Sequence, residues 1–222
     1  MKVSLAGLTR SAAKADLFVC GIFKGERDLK ALKKIDPAFA RTAETALSKK
    51  RFEGKCGEAF SSYQAAYRQA PEMMLLGLGE KKDYKSESLR KAVGALIAAA
   101  NARKAVKVRV LLDSFAEGPL PAGEIAKIFT EVSFLAAYRF TPYKTQKKDD
   151  SPKTPESLEL VTQTKDLLPL ARPIMTRAEK IAKAVNFARD LNNQPGNVMN
   201  APRLAEESKK LAREKGLQCK VL

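Results

Sequence analysis

The sequence predicts an α/β fold, and three observations carry that prediction. Short apolar runs of strand length alternate with longer stretches whose apolar residues recur every three or four positions. Residues 73–112 read strand, helix, strand, the pattern of a βαβ unit. The composition, 45% hydrophobic and 30% charged, is that of a soluble globular chain with a core to bury. In 222 residues there is room for one large domain, or for one of about 150 residues with part of a second.

Taken in order, Val3, Leu5 and Gly7 alternate with Lys2, Ser4 and Ala6, and Leu17 to Phe23 is an unbroken apolar run between Asp16 and Lys24. Both read as strands, the second buried on two faces. Residues 28–48 are rich in Leu, Ala, Lys and Glu but interrupted at Asp36-Pro37, which predicts two short helices or one broken helix. Met73 to Leu76 reads as a central strand closed by the turn Gly77-Leu78-Gly79. From Ser86 to Arg103, Leu89, Val93, Leu96, Ile97 and Ala100 share one stripe of a helix with Ser86 as its expected cap, and Val106 to Leu112 is the next strand.

Residues 123–140 form an amphipathic helix through Ile125, Ile128, Phe129, Val132 and Leu135, expected to run until Pro142 stops it. The polar stretch 144–156 is an exposed loop, and Leu158 to Thr164 a further strand. Thr176-Arg177-Ala178-Glu179 has the capping-box pattern of a helix start, ahead of Ile181, Ala184, Val185, Ala188 and Leu191 on one face. A domain boundary is therefore expected near Pro169 to Pro173. The last helix, Pro202 to Lys215, has proline at its entry and Gly216 as its C-terminal cap, and Leu217, Cys219 and Val221 alternate as a strand with no partner from its own unit.

Composition excludes several classes of chemistry. With no histidine, His-based zinc sites, Ser-His-Asp triads and Cys-His dyads are ruled out within these residues. Cys20, Cys56 and Cys219 are widely spaced and odd in number, which suits reduced thiols and a cytoplasmic location. The longest apolar run, Ala92 to Ala100, is about half of what a membrane span needs. The formal net charge of +16 raises nucleic acid or an acidic surface as a partner, but the excess is spread along the chain, so a basic solvated surface explains it as well.

Individual motifs have bland readings beside their functional ones. Gly77-Leu78-Gly79 invites a dinucleotide-binding reading, yet the third glycine of that fingerprint would fall at Lys82 and the helix begins too late. Asp149-Asp150 is a carboxylate pair in a lysine-rich loop, without the fixed frame that acid/base work needs. Arg189-Asp190 fits charge pairing at a helix end, and Asn192 to Asn197 is a turn cluster.

Three segments in order nevertheless resemble one family. Leu75-Leu76-Gly77-Leu78-Gly79 with Lys91-Ala92-Val93-Gly94, then Ala137-Tyr138-Arg139-Phe140 with Tyr143-Lys144, then Ala188-Arg189-Asp190-Leu191-Asn192 through Pro195 and Asn197 to Pro202 resemble the leucyl aminopeptidase (M17) metallopeptidases. Gly196 stands where that family more usually has Pro or Ser, and Ala201 where it has a capping Thr, leaving Asn200 as the expected cap. The resemblance implies a macro-domain-like N-terminal domain over 1–169, with a mixed sheet flanked by helices. A linker helix and an incomplete start of the catalytic α/β domain follow over 170–222.

The family's activity is release of N-terminal residues from peptides by two divalent metals, manganese or zinc, held by lysine, aspartate and glutamate. Its N-T-D-A-E-G-R signature has no counterpart in this sequence. The resemblance therefore transfers no catalytic, cofactor-binding or metal-ligating residue, and the 222 residues are expected to be inactive alone. It also implies a cytoplasmic homo-oligomer, a hexamer, with no membrane contact. The alternatives are a basic module that binds DNA or a nucleotide, and an assembly or regulatory subunit.

Overall fold

Period-two patterning in the strands separates two cores, one on each face of a single sheet. The computed structural model describes residues 1–8, 14–26, 29–63, 70–143 and 154–221. Among them, β1 (Lys2–Gly7), β2 (Leu17–Ile22), β3 (Ala59–Tyr63), β4 (Glu72–Gly77), β5 (Lys107–Leu111) and β6 (Ser157–Thr162) lie in the order β1-β6-β5-β2-β4-β3. The sheet is mixed: every neighbouring pair is parallel except β3 with β4.

Leu17 and Val19 of β2, Met74 and Leu76 of β4, Val108 and Val110 of β5, and Leu158 and Leu160 of β6 point to one face. They meet α3 (Ser86–Ala102), α4 (Ala122–Ala136) and α5 (Leu167–Asn192). Phe18, Cys20, Met73, Leu75, Leu111 and Val161 point to the other and meet α2 (Pro37–Ser48), through Phe39, Ala40 and Ala43. Each large side chain so buried contributes roughly 1.5–3 kcal/mol. β2 and β4 serve both cores, which is why their sequences are apolar without alternation.

The interrupted stretch resolves into two helices, α1 (Lys30–Ile35) and α2, with Asp36 between them. The backbone of Asp36 closes α1 while its carboxylate accepts from the Phe39 amide at 2.8 Å, capping α2. The unit β4–α3–β5 is present, but β2 lies between its two strands. The helix after it, α4, belongs to the same face as α3 and α5.

Five expectations change. The edge strand β3 was not foreseen. Helix α3 is capped at Lys85 rather than Ser86, with the Ser88 hydroxyl accepting from the Lys85 amide at 2.9 Å. Helix α4 ends at Ala136, well before Pro142, for a reason found in α5 and described below.

The capping-box signal at Thr176 marks no start, because α5 is already running there: the Thr176 hydroxyl donates back to the Arg172 carbonyl at 3.0 Å. Pro169 sits in the first turn, where a missing N–H is no loss, and around Pro173 the helix is held by Ala171 and Met175 buried beneath it. Residues 169 and 170 lie in the first turn of this helix. Finally, residues 217–221 carry no strand; they are exposed, and a strand needs a neighbour's ladder.

The final helix, α6 (Ala201–Lys215), matches its prediction. The Asn200 side chain caps it by accepting from the Arg203 amide at 3.1 Å, and Gly216 closes it with φ +66°.

Candidate functional site

Glycines 77 and 79 serve the chain's own backbone. The Gly77 amide donates to the Glu58 carbonyl at 2.7 Å, the Leu78 amide to Ile22 at 2.9 Å and the Gly79 amide to Gly54 at 2.9 Å. No amide of the turn is left for a phosphate, and α3 begins only at Ser86. The turn is a crossing of two loops. Asp149-Asp150, with most of the loop 144–156, lies outside the described residues.

Two depressions flank the loop after β2. A cleft of about 20 Å³ at the C-terminal ends of β2 and β5, lined by Cys20, Leu29, Leu32, Leu111, Ser114 and Glu117, has room for about one water. A wider groove beside the end of α2 mixes Lys24 and Lys50 with Glu44 and Glu53. Among the described residues no three Cys, Asp or Glu side chains gather as metal ligands.

The most developed polar arrangement joins the end of α4 to the end of α5. Asn186 Nδ2 donates to the Phe134 carbonyl at 3.0 Å and Arg189 Nη1 to the Leu135 carbonyl at 3.1 Å, so two of the open carbonyls of α4 are capped by side chains of α5. This is why α4 stops where it does. The Tyr138 hydroxyl donates to Asp190 Oδ1 at 2.8 Å and accepts from Asn193 Nδ2 at 3.1 Å, and the Arg189 guanidinium lies over the Tyr138 ring at 5.5 Å. Tyr143 donates to Gln194 beside them. Loss of solvent, and then the Asp190 carboxylate, push the Tyr138 hydroxyl above its ordinary pKa, so it remains a donor.

The structure therefore brings together two of the three segments singled out in the sequence. Arg189 and Asp190, which fit a local charge pair, instead reach across the junction, Arg189 to the Leu135 carbonyl at the end of α4 and Asp190 to Tyr138 beyond it. The missed participants are Asn186 and Asn193. Their spacing was a usable signal, because 182, 186, 189 and 193 extend the buried line of α5 at helical intervals.

Helix α5 also has a second apolar line. Ala171, Met175, Ala178 and Ala182 are buried, whereas Leu170, Ile174, Ile181 and Val185 are exposed, Leu170 to 68%. At 3.6 residues per turn the two lines stand about a quarter turn apart. The face predicted from Ile181, Ala184, Val185 and Ala188 is thus the outward one, and the inward one is built mainly of alanines that let α4 approach. Val198, Leu204, Leu217 and Val221 add further exposed apolar side chains, so this surface is concentrated in the last quarter of the chain.

The description "Cytosol aminopeptidase family, N-terminal domain" matches residues 19–147, more than half of the chain. The chain belongs to this family. Its similarity extends through the C-terminal helices: a probable cytosol aminopeptidase of Syntrophotalea carbinolica is 31% identical over 226 aligned residues, which cover 100% of this chain and 44% of that protein. One from Aquifex aeolicus is 32% identical over 201 residues, 90% of this chain and 38% of that protein.

A tomato leucine aminopeptidase mutant shares the fold with a TM-score of 0.75 at 22% identity, covering 96% of this chain and 42% of that one. The bottromycin maturation enzyme BotP does so with a TM-score of 0.68 at 23% identity, covering 93% of this chain and 39% of that one. The chain spans less than half the length of these members of the cytosol aminopeptidase family and of the enzymes that share its fold. No helix among the described residues is long and apolar enough to cross a membrane.

Proposed function

We propose that this chain is the N-terminal module of a cytoplasmic leucyl aminopeptidase, residues 1–169, joined to the opening of its catalytic domain, residues 170–222. The whole enzyme releases N-terminal residues from peptides at two divalent metal ions, manganese or zinc, and assembles as a hexamer. The observation that carries this reading is similarity over the full chain, across the 169/170 boundary, to a probable cytosol aminopeptidase more than twice as long.

The part played by these 222 residues is architectural. That reading rests on the sequence, in which the N-T-D-A-E-G-R signature has no counterpart. What the chain offers is the α4–α5 junction, which fixes the start of the catalytic domain, and an outward apolar face on α5 for the rest of the enzyme to cover.

The test is hydrolysis of leucine p-nitroanilide with Mn2+ or Zn2+, by this chain and by a longer form of the same gene product. The expected outcome is turnover by the longer form and none above buffer by the 222 residues. Chelator-sensitive turnover by the 222 residues would overturn the architectural reading; an inert longer form would overturn the aminopeptidase reading.

A further inference from the structure

We propose that Tyr138 is a positioning residue: its hydroxyl latches the last turn of α5 to the end of α4 and so sets the direction in which α6 leaves the sheet-bearing body. The inference rests on the reading above for its purpose, since α5 and α6 open the catalytic domain there, but its geometry stands alone.

Apolar burial cannot hold the end of α5. The fully buried line stops at Ala182, and Val185, Phe187 and Ala188 are exposed. Beyond that point α5 is tied down by polar side chains, Asn186, Arg189, Asp190 and Asn193, and the last three all meet Tyr138. Residues 193–200 then lead into α6, which touches the other elements only sparsely. The orientation of α6 is inherited from the last turn of α5, where one phenol, its acceptor a carboxylate, gathers Asp190 and Asn193 beside the Arg189–Leu135 bond. Tyr143 and Gln194 add a second tie one residue beyond Asn193.

Tyr138→Phe keeps the ring under Arg189 and deletes only the hydroxyl. Hydrogen exchange on the 222-residue chain is expected to quicken roughly tenfold or more at amides 187–193, with α3 and the core of α4 unchanged. Asp190→Asn, which retains an acceptor, should keep most of the protection, and Asp190→Leu should reproduce Tyr138→Phe. Unchanged exchange in Tyr138→Phe, or acceleration spread evenly over α3 and α4, overturns the latch.

Direction needs its own readout, because a merely stabilising hydroxyl would leave it alone. Spin labels at Cys56 and at an introduced Ser208→Cys, with Cys219→Ser, are expected to give a narrow distance distribution that broadens in Tyr138→Phe. A distribution that stays narrow overturns the positioning claim even if exchange quickens. A longer form without peptidase activity would remove the purpose proposed above and leave both of these measurements intact.

Discussion

Replacing Gly77 with alanine asks the most of the structure. A Cβ on Gly77 would land on the Lys55 carbonyl oxygen, well inside contact distance, and at 2.7 Å from Gly54 C and 2.9 Å from Lys55 C. These are backbone atoms of a loop pinned at both sides, where the Gly77 amide donates to the Glu58 carbonyl at 2.7 Å and the Gly57 amide to the Gly77 carbonyl at 2.9 Å. No rotamer change relieves the clash; the loop must move, and both bonds lengthen or break. Overpacking of this kind costs about 2–3 kcal/mol, and the two bonds add about 1–2 kcal/mol.

The expected loss for Gly77→Ala is therefore about 4 kcal/mol, a large share of the 5–15 kcal/mol or so of a typical domain. In urea the unfolding midpoint should fall by about 2 M. Gly94→Ala is the internal control: it sits in α3 with nothing within 4 Å of its would-be Cβ, and the substitution should stabilise by up to about 1 kcal/mol. A Gly77→Ala protein within about 1 kcal/mol of the parent would refute the loop-crossing argument.

Other perturbations follow from the same contacts. Ala182→Asp places a carboxylate in the buried line of α5 and should cost several kcal/mol, about 3 or more, whereas Val185→Asp on the outward line should change thermal stability by no more than about 0.5 kcal/mol. Asp36→Ala removes the cap of α2 and should cost about 1 kcal/mol in urea unfolding. Ellman's reagent should titrate Cys56 and Cys219 in the folded chain, and Cys20 only in denaturant, because Cys20 is buried and the others exposed.

Burial also pushes the Cys20 thiol far above its ordinary 9.0, so above that pH the unfolded chain loses this proton while the folded one keeps it. Stability is then full below pH 9 and falls above it, by about 1.4 kcal/mol per pH unit from this group. Cys20→Ala should flatten the alkaline limb of the stability curve by that amount; an unaltered slope would contradict the burial argument.

Much of the fold was legible because the residues that build it have no second use. Leu17 to Phe23 is too short and too apolar to be anything but an interior strand, Val106, Val108 and Val110 alternate with Lys107 and Arg109, and Asp36-Pro37 marked the break between α1 and α2. Strand β3 escaped because Ala-Phe-Ser-Ser-Tyr has little alternation; an edge strand is held by its pairing with β4, not by burial. The start of α5 escaped because two prolines and a capping box outweighed, locally, a docking surface supplied by α4, which sequence does not display.

The residues of the α4–α5 junction carry the family likeness in the sequence, but their roles lie in contacts between distant segments. Tyr138 with Asp190, and Leu135 with Arg189, meet across some fifty positions of chain.

The two apolar lines of α5 have a consequence for how the molecule tolerates change in length. They stand about 100° apart at most, the rotation of one residue. Inserting a single amino acid near position 176 would swing Ile181 into the space that Ala182 occupies against α4 and Val185 into that of Asn186, and would carry Arg189 and Asp190 away from Tyr138. Surface loops absorb indels readily, but here the helix keeps a reading frame of its own, and a gain or loss of one residue within it amounts to a missense change in every residue downstream.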